Sequence, residues 1–239
     1  MSQIKILETI SETPYSRVSY CHLNNVKAVL KTKKEAIITN SIATELKIHQ
    51  FLNKYDLCPE ILDYDLLNNR IIYEYIEYPV ENSEYNQVFL EILGKTLSKL
   101  HSLNYRNQDI GTFEEKIESY RNILNTSNAI EIQEGFALFD KLYKKSTKLV
   151  FCHNDLNPMN IFLDKTMQFI DWEYAGLNMP IYDIASIKKS FNFSSDQFNI
   201  FLKAYGQDFN LNDVNEFEIF VGCIEMIWQK VTDEQKNNQ

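Results

Sequence analysis

The first 93 residues of this chain contain no glycine, although they make up more than a third of its 239 residues. A glycine-rich turn that wraps around a phosphate group is therefore excluded from this part of the chain. A phosphate-binding turn here, for which residues 11–16 are the candidate, would have to use backbone amides or Ser and Thr hydroxyls instead.

Cysteine and long apolar runs are also scarce. The four cysteines (Cys21, Cys58, Cys152 and Cys223) match no zinc-ligand spacing, so we expect reduced and buried side chains. No stretch approaches the roughly 20 apolar residues that cross a bilayer. The N-terminus lacks the apolar core and small-residue cleavage site of a signal peptide. We therefore expect a cytoplasmic protein without a membrane span.

Positive charge is in short supply. The net charge is −9, of which residues 1–77 carry −1 and residues 78–239 carry −8. Non-specific nucleic-acid binding needs a basic surface, so we expect no nucleic-acid partner. An acidic surface favours a small cationic substrate, although the same acidity could simply keep the protein soluble. Composition does not predict the oligomeric state.

The N-terminal part contains the pattern of a small sheet. Residues 17–23 and 26–31 read as strands on either side of Asn24-Asn25, which suits a two-residue hairpin turn because Asn tolerates positive φ. Apolar residues at helical spacing predict a helix over residues 35–52. A run rich in Ile and Tyr predicts a further strand over residues 70–77.

The remainder reads as mostly helical. Pro79 and the polar residues 81–84 indicate a linker, and an amphipathic helix is predicted over residues 86–103. The fold class is therefore α+β. We expect a small antiparallel-sheet lobe with one helix over residues 1–77, and a larger, mostly helical lobe over residues 78–239.

A hairpin with polar ends lies near the middle of the chain. If residues 160–171 turn at residues 165–166, Asn160 and Asp171 face each other across the two strands. Amide and carboxylate oxygens are ligands that Mg²⁺ prefers. The pattern predicts that Asn160 and Asp171 hold this ion.

The segment before the hairpin supplies a candidate base. From His153 to Asn160 it follows H-x-D-x-x-x-x-N, the spacing of a kinase catalytic loop. Asp155 takes the position of the carboxylate that receives the proton of the attacking hydroxyl. The sequence predicts metal-assisted phosphoryl transfer, whereas an Asx-rich loop without a metal is the alternative.

A buried ion pair is predicted in the N-terminal part. Glu45 falls on the apolar side of its helix and must find a partner there. Lys31, at the end of a strand, is the natural partner and would position ATP phosphates, while Lys33 on the same strand face is the competitor. By position alone, Glu74 and Ile76 would offer backbone groups to adenine.

Two runs of residues resemble the choline/ethanolamine kinase and aminoglycoside phosphotransferase group, and most closely the bacterial choline kinases. They read Val150-Phe-Cys-His-Asn-Asp-Leu-Asn-Pro-Met-Asn160 and Phe169-Ile-Asp-Trp-Glu-Tyr-Ala-Gly176, with Tyr182-Asp-Ile-Ala185 after them. The resemblance implies a two-lobed protein-kinase-like fold and ATP-dependent phosphorylation of a small-molecule hydroxyl. It assigns Asp155 as the base, Lys31 to phosphate, and Glu173 and Tyr174 to the substrate.

The C-terminal helix departs from that family pattern. Choline kinases usually carry two tryptophans three residues apart, which suit a quaternary ammonium through cation–π contact. This chain keeps Trp228 and has Glu225 at the other position. A carboxylate also attracts a cation and accepts hydrogen bonds from a primary ammonium. We therefore expect an amino alcohol substrate, choline first and ethanolamine close behind.

Two other functions stay open on the sequence. An aminoglycoside or thiamine kinase would suit the acidic C-terminal part, although the choline-kinase-like motifs argue against it. A catalytically silent binding protein with a kinase fold is supported by the glycine-free turn alone. Intact Lys31, Asp155, Asn160 and Asp171 count against that reading.

Overall fold

The computed structural model describes residues 3–13, 15–34, 39–77, 80, 85–105, 110–125, 127, 129–143 and 148–237. The chain divides into two units: Met1–Glu81 with Pro158–Tyr174, and Asn82–Asn157 with Ala175–Gln239. The lobe boundary predicted between residues 77 and 78 stays a prediction, as does the linker at residues 79 and 81–84, which lies outside the described residues. No helix in the described ranges is long and apolar enough to cross a membrane.

The first unit is built on an antiparallel sheet with strand order β1-β2-β3-β5-β4. Its strands are β1 (Ile4–Glu12), β2 (Ser16–Leu23), β3 (Val26–Lys33), β4 (Ile61–Asp65) and β5 (Arg70–Glu74). The predicted hairpin between β2 and β3 is confirmed, since Asn24 and Asn25 have φ values of 49° and 69°. Sequence reasoning missed β1 and β4. Every residue of β1 is exposed, so this strand lacks the alternation that predicts a half-buried strand.

Helix α1 (Ile42–Leu52) is shorter than predicted. It begins after Ser41, whose side chain accepts a hydrogen bond from the backbone N–H of Thr44 at 3.1 Å, the usual geometry of an N-cap. Residues 35–38 of the predicted helix lie outside the described residues. Ile42, Leu46 and Glu45 are all buried, so the predicted inward direction of Glu45 is confirmed.

The central hairpin has a different register from the predicted one. Strands β7 (Ile161–Leu163) and β8 (Met167–Phe169) pair Ile161 with Phe169 and Leu163 with Met167, around a three-residue loop. The predicted pairing of Asn160 with Asp171 is therefore wrong, and the backbone N–H of Ile170 donates to the carbonyl of Asn160 at 3.0 Å instead. Burial explains the register, since it brings fully buried Ile161 and Phe169 onto one face.

The second unit is mainly helical. Its helices are α2 (Gln87–Ser102), α3 (Phe113–Ile123), α4 (Ile130–Tyr143), α5 (Pro180–Phe191), α6 (Ser195–Tyr205) and α7 (Leu211–Asn237). Asn86 caps α2, so that predicted helix is confirmed within one residue at each end. Helices α2 and α6 lie so close at Gly94 that a Cβ atom there would come within 2.5 Å of the Phe201 carbonyl oxygen.

A short antiparallel pair completes the second unit. Strand β6 (Val150–Cys152) pairs with β9 (Gly176–Asn178). The chain leaves β6 directly into the segment that contains Asp155. The predicted α+β class is confirmed, and the four cysteines are free, with Cys223 less buried than the other three.

Candidate active site

Two lysines of β3 point to the same side of the sheet because they are two residues apart. Lys31 and Lys33 are both about 5% exposed, and each reaches the fully buried carboxylate of Glu45 on α1. Lys31 Nζ donates to Glu45 Oε2 at 2.9 Å and Lys33 Nζ donates to Glu45 Oε1 at 2.5 Å. The sequence left open whether Lys31 or Lys33 is the partner of Glu45, and in the structure both are.

Lys31 binds a second carboxylate. Its Nζ donates to Asp171 Oδ1 at 2.6 Å, and Glu173 Oε2 lies 3.6 Å away. Burial on its own lowers the pKa of Lys31, but the carboxylates of Asp171 and Glu45 outweigh it and hold that pKa well above the ordinary value. Lys31 is therefore charged, and the carboxylates of Glu45 and Asp171 hold its ammonium group in position.

Lys33 connects β3 to the segment after β8 through polar contacts. Its Nζ also donates to the carbonyl of Asn40, and it lies 3.3 Å from Glu173 Oε2. Asn40 in turn donates from its backbone N–H to the Glu173 carbonyl at 2.8 Å and from its side chain to the Trp172 carbonyl at 3.1 Å. This chain of hydrogen bonds fixes the backbone beside Asp171.

Glu173 is the carboxylate of this group whose buried oxygen is least well satisfied. Its Oε2 is buried and accepts no hydrogen bond, although both lysine Nζ atoms lie within 3.6 Å and attract it electrostatically. Burial, and next the neighbouring charge of Asp171, raise the pKa of Glu173, while the two lysines oppose that rise. The predicted substrate residue Glu173 thus lies within the lysine cluster.

The proposed metal ligands have donor atoms that fit a hard cation. Asp171 leaves β8 with a φ of 66°, and its carboxylate is 38% exposed, far more than the other carboxylates of the cluster. Asn160 precedes β7 and is buried. A carboxylate and an amide oxygen are a donor set of the kind that holds Mg²⁺ together with phosphate and water.

In the second unit, one carboxylate holds the backbone of the predicted catalytic loop. Asp183 on α5 is fully buried and accepts hydrogen bonds from the backbone N–H groups of His153 and Asn154, both at 2.8 Å. Asn154 has a φ of 66°, a conformation that Asn tolerates better than most residues. Asp183 therefore fixes the two residues that come directly before Asp155.

His101 and Tyr205 complete this arrangement. His101 Nε2 lies 3.1 Å from Asp183 Oδ2, and His101 Nδ1 lies 2.9 Å from the hydroxyl of Tyr205. Burial on its own would raise the pKa of Asp183, but the hydrogen bonds and charge of His101 hold that pKa below its ordinary value. His101, in the last turn of α2, thus bridges three helices.

Asp155 itself is half-buried after the left-handed turn at Asn154. The side-chain amide of Asn157 lies 3.3 Å from the Asp155 carbonyl and 3.5 Å from its Oδ1. On the other side, Asn178 donates to the side chain of Asn154 at 2.7 Å. The loop is therefore held on both sides of the predicted base.

The remaining predicted site residues are placed as follows. Glu74 ends β5 and Ile76 lies half-buried beyond it; Tyr174 is half-buried in the first unit. On α7, Glu225 is exposed and forms an ion pair with Lys189 at 2.6 Å, whereas Trp228 is half-buried. The structure brings together Lys31, Glu45, Asp171 and Glu173. The functional roles assigned to these four residues and to the other site residues stay predictions.

Sequence reasoning did not assign Asp183 or Asn40. Asp183 stands in the Tyr182-Asp-Ile-Ala185 run used for the resemblance, so a charged residue inside an apolar helix face was the available signal. Asn40 carries no such signal, because its role depends on hydrogen bonds to residues more than 130 positions away.

Known proteins are similar to this chain in sequence and fold. A family model described as "Phosphotransferase enzyme family" (APH) matches residues 10–217. "Protein LicA homolog" of Mycoplasma capricolum is 26% identical over 183 residues, which cover 75% of this chain and 74% of that protein. "Ethanolamine kinase 1" of Mus musculus is 26% identical over 175 residues, which cover 64% of this chain and 38% of that protein.

A solved structure extends the similarity to the fold. The choline kinase LicA from Streptococcus pneumoniae superposes with a TM-score of 0.77 at 20% identity, over 98% of this chain and 86% of that one. The predicted protein-kinase-like fold is confirmed. The resemblance based on residues 150–185 is likewise confirmed, since the matching relatives include choline and ethanolamine kinases.

Proposed function

We propose, because the chain belongs to the phosphotransferase enzyme family, that it transfers a phosphoryl group from ATP to the hydroxyl of an amino alcohol. The observation that carries this proposal is the pairing of buried Lys31 with Glu45 and Asp171. A strand lysine paired with a helix carboxylate, next to the acidic residue that follows a hairpin, is the phosphate-binding arrangement of kinase folds. The intact lysine and carboxylates count against a silent binding protein.

The roles follow from the chemistry of the side chains. Asp155 would accept the proton of the substrate hydroxyl as its oxygen attacks the terminal phosphorus, and ADP would leave. Lys31 would bind the phosphates, with Glu45 holding its ammonium in place. Mg²⁺ held by Asn160 and Asp171 would neutralise negative charge on the phosphates. Glu74 and Ile76 would bind adenine through their backbone groups.

Choline or ethanolamine is the acceptor that we propose. The relatives named above support an amino alcohol, and an acidic second half of the chain attracts a cation. We assign Tyr174, Glu225 and Trp228 to the cation. The ion pairs of Glu173 favour a role beside Lys31 and Lys33 over one at the acceptor. We also propose a cytoplasmic location, where ATP is available, and no nucleic-acid partner.

A parallel assay tests the reaction. ATP consumption is measured with choline, ethanolamine, thiamine and kanamycin, and we expect turnover with choline or ethanolamine. Asp155→Asn should lower kcat by about 10³-fold, because general-base catalysis is worth about 10² to 10⁴-fold. Asp208→Asn, an exposed loop residue of the same unit, is the control. Phosphorylation of thiamine or kanamycin alone would reverse the choice of acceptor.

A second variant tests the cation site. Glu225→Gln should raise KM for ethanolamine more than KM for choline, because only a primary ammonium donates hydrogen bonds to the carboxylate. Stability should change by less than about 0.5 kcal/mol, since the ion pair with Lys189 is exposed. Equal KM values in variant and parent would remove Glu225 from the substrate site.

A further inference from the structure

One buried carboxylate in the first unit has two buried cationic partners. Lys31 and Lys33 bind the two different oxygens of Glu45, whose side chain is 0% exposed. Lys31 alone would satisfy the charge of Glu45. A second ammonium, itself 4% exposed, adds the desolvation cost of another buried charge, which its contacts must offset. Lys33 therefore needs an explanation.

The two lysines differ in what else they bind. Lys31 also contacts Asp171, whose carboxylate is 38% exposed. Lys33 instead contacts the Asn40 carbonyl, whereas both lysines lie close to the buried oxygen of Glu173. Both lysine side chains are almost fully buried, at 6% and 4% exposure, but Lys31 is the one that contacts the partly exposed carboxylate of Asp171, where a ligand can approach.

This difference matters when Lys31 binds phosphate. An ammonium that turns toward a phosphate weakens its bond to Glu45, and a buried carboxylate left without a partner is strongly destabilising. We propose, on the basis of the proposed function, that Lys33 is a positioning residue that keeps Glu45 paired, so that Lys31 is available to the nucleotide phosphates. Lys33 acts through Glu45 and does not touch the nucleotide.

The charges of the cluster support the same role. Two lysines and three carboxylates (Glu45, Asp171 and Glu173) give the cluster a net charge of −1. Without Lys33 the net charge would be −2, and Lys31 would be the sole cation facing three carboxylates. With Glu45 competing for it, Lys31 would be less available to an anionic nucleotide, so this effect also acts through Glu45 and requires no contact between Lys33 and the ligand.

Nucleotide affinity tests the proposal. ADP binding is measured by calorimetry with and without Mg²⁺, for the parent chain and for Lys33→Met. We expect Kd to rise about tenfold, the effect of one uncompensated charge near the site at an effective dielectric constant of about 20. KM for ATP should rise with it, and kcat should change little. Lys54→Met, which removes an exposed positive charge from the same unit, should bind ADP like the parent.

A double variant separates charge compensation from other roles. In a Glu45→Gln background the buried carboxylate is gone, so adding Lys33→Met should change Kd for ADP by less than about twofold, as for two residues that act through one interaction. A further tenfold loss in that background would overturn the proposal, because Lys33 would then act without Glu45. This comparison holds even if Lys33→Met alone folds poorly.

The outcomes also separate this proposal from the proposed function. If the parent chain binds ADP and Lys33→Met binds it equally well, the role of Lys33 is refuted while the kinase assignment stands. If the parent chain binds no nucleotide and phosphorylates no amino alcohol, both are refuted.

Discussion

Two fully buried carboxylates organise the two units, and they do so in different ways. Glu45 in the first unit is bound by the side chains of Lys31 and Lys33. Asp183 in the second unit is bound by the backbone N–H groups of His153 and Asn154 and by the ring of His101. Glu45 therefore binds flexible lysine side chains, whereas Asp183 binds mainly backbone amides.

The difference has a consequence for mechanism. An ammonium can exchange one anionic partner for another, so the Glu45 group can reorganise when a nucleotide arrives without any change in the backbone. The two amides held by Asp183 have no such freedom, because an unpaired buried N–H costs about 1–3 kcal/mol. We expect the Glu45 group to determine affinity, and Asp183 to determine the shape of the loop that carries Asp155.

The largest expected effect is on stability, from Asp183→Ala. The variant leaves two buried backbone amides and His101 without their acceptor, which should cost about 4 kcal/mol. Urea unfolding followed by circular dichroism measures the loss. Asp208→Ala, in an exposed loop, should change stability by less than about 0.5 kcal/mol. A loss below about 1 kcal/mol would mean that the backbone finds other partners.

Lys31→Met, in contrast, should lower activity strongly and stability little. We expect kcat/KM for ATP to fall by about 10²- to 10³-fold, the usual cost of one charge-stabilising group at a reacting centre. The melting temperature should change little, because Glu45 keeps Lys33 as a partner. A large loss of stability with this variant would show that Lys33 cannot hold Glu45 alone.

The sequence predicted the Glu45 group better than the Asp183 group. Lys31 and Glu45 were predicted because a strand end and a helix face, both readable from local pattern, place them on facing sides. That Lys33 shares Glu45 could not be read from the pattern, since Lys31 and Lys33 occupy the same face and differ only in their distant partners. The pattern could have shown Asp183 as a buried charge but not what it binds, because its partners lie some 30 and 80 residues away.

The hairpin shows a second limit. The residue types of Asn160 and Asp171 predicted their chemistry, but a loop of three residues instead of two shifted every pair by one position. Loop length depends on which side chains are buried, and Ile161 and Phe169 decided that. Residue identity is local information, whereas register is set by the packed core.

Lowering the pH should change the stability contributions of Asp183, in the second unit, and Glu173, in the first unit, in opposite directions. The pKa of Asp183 is lowered, so its contribution to stability is present above the unfolded value of about 3.9 and is lost as pH falls through the folded pKa. The pKa of Glu173 is raised, so its ionisation destabilises the fold as pH rises from the unfolded value of about 4.3 through the folded pKa.

Variants at these positions measure both signs. Asp183→Asn should be most destabilising near pH 7, and its difference from the parent should shrink as pH falls. Glu173→Gln should become more favourable relative to the parent as pH rises from 4 to 7. Unfolding midpoints in urea at several pH values, with chelator present, provide the test. Parallel pH profiles for the two variants would contradict the opposed shifts.

The smallest expected effect is on the rate at which buried thiols become accessible. Cys58 lies in the first unit and Cys152 in the second, and both are 0% exposed with pKa values that burial raises. A thiol reagent therefore modifies either one only after local opening. Cys223, which is less buried, serves as the internal reference for reagent activity.

ADP should slow the labelling of Cys58 and leave that of Cys152 nearly unchanged. A ligand that binds the closed form suppresses opening by a factor of one plus [L]/Kd, so ADP at ten times Kd should slow Cys58 by about tenfold. Openings that free Cys152 without disturbing the Lys31 cluster gain no such protection. Mass spectrometry of the labelled peptides gives both rates. Equal protection of the two cysteines would mean that the units open together, and that the Glu45 and Asp183 groups belong to one cooperative structure.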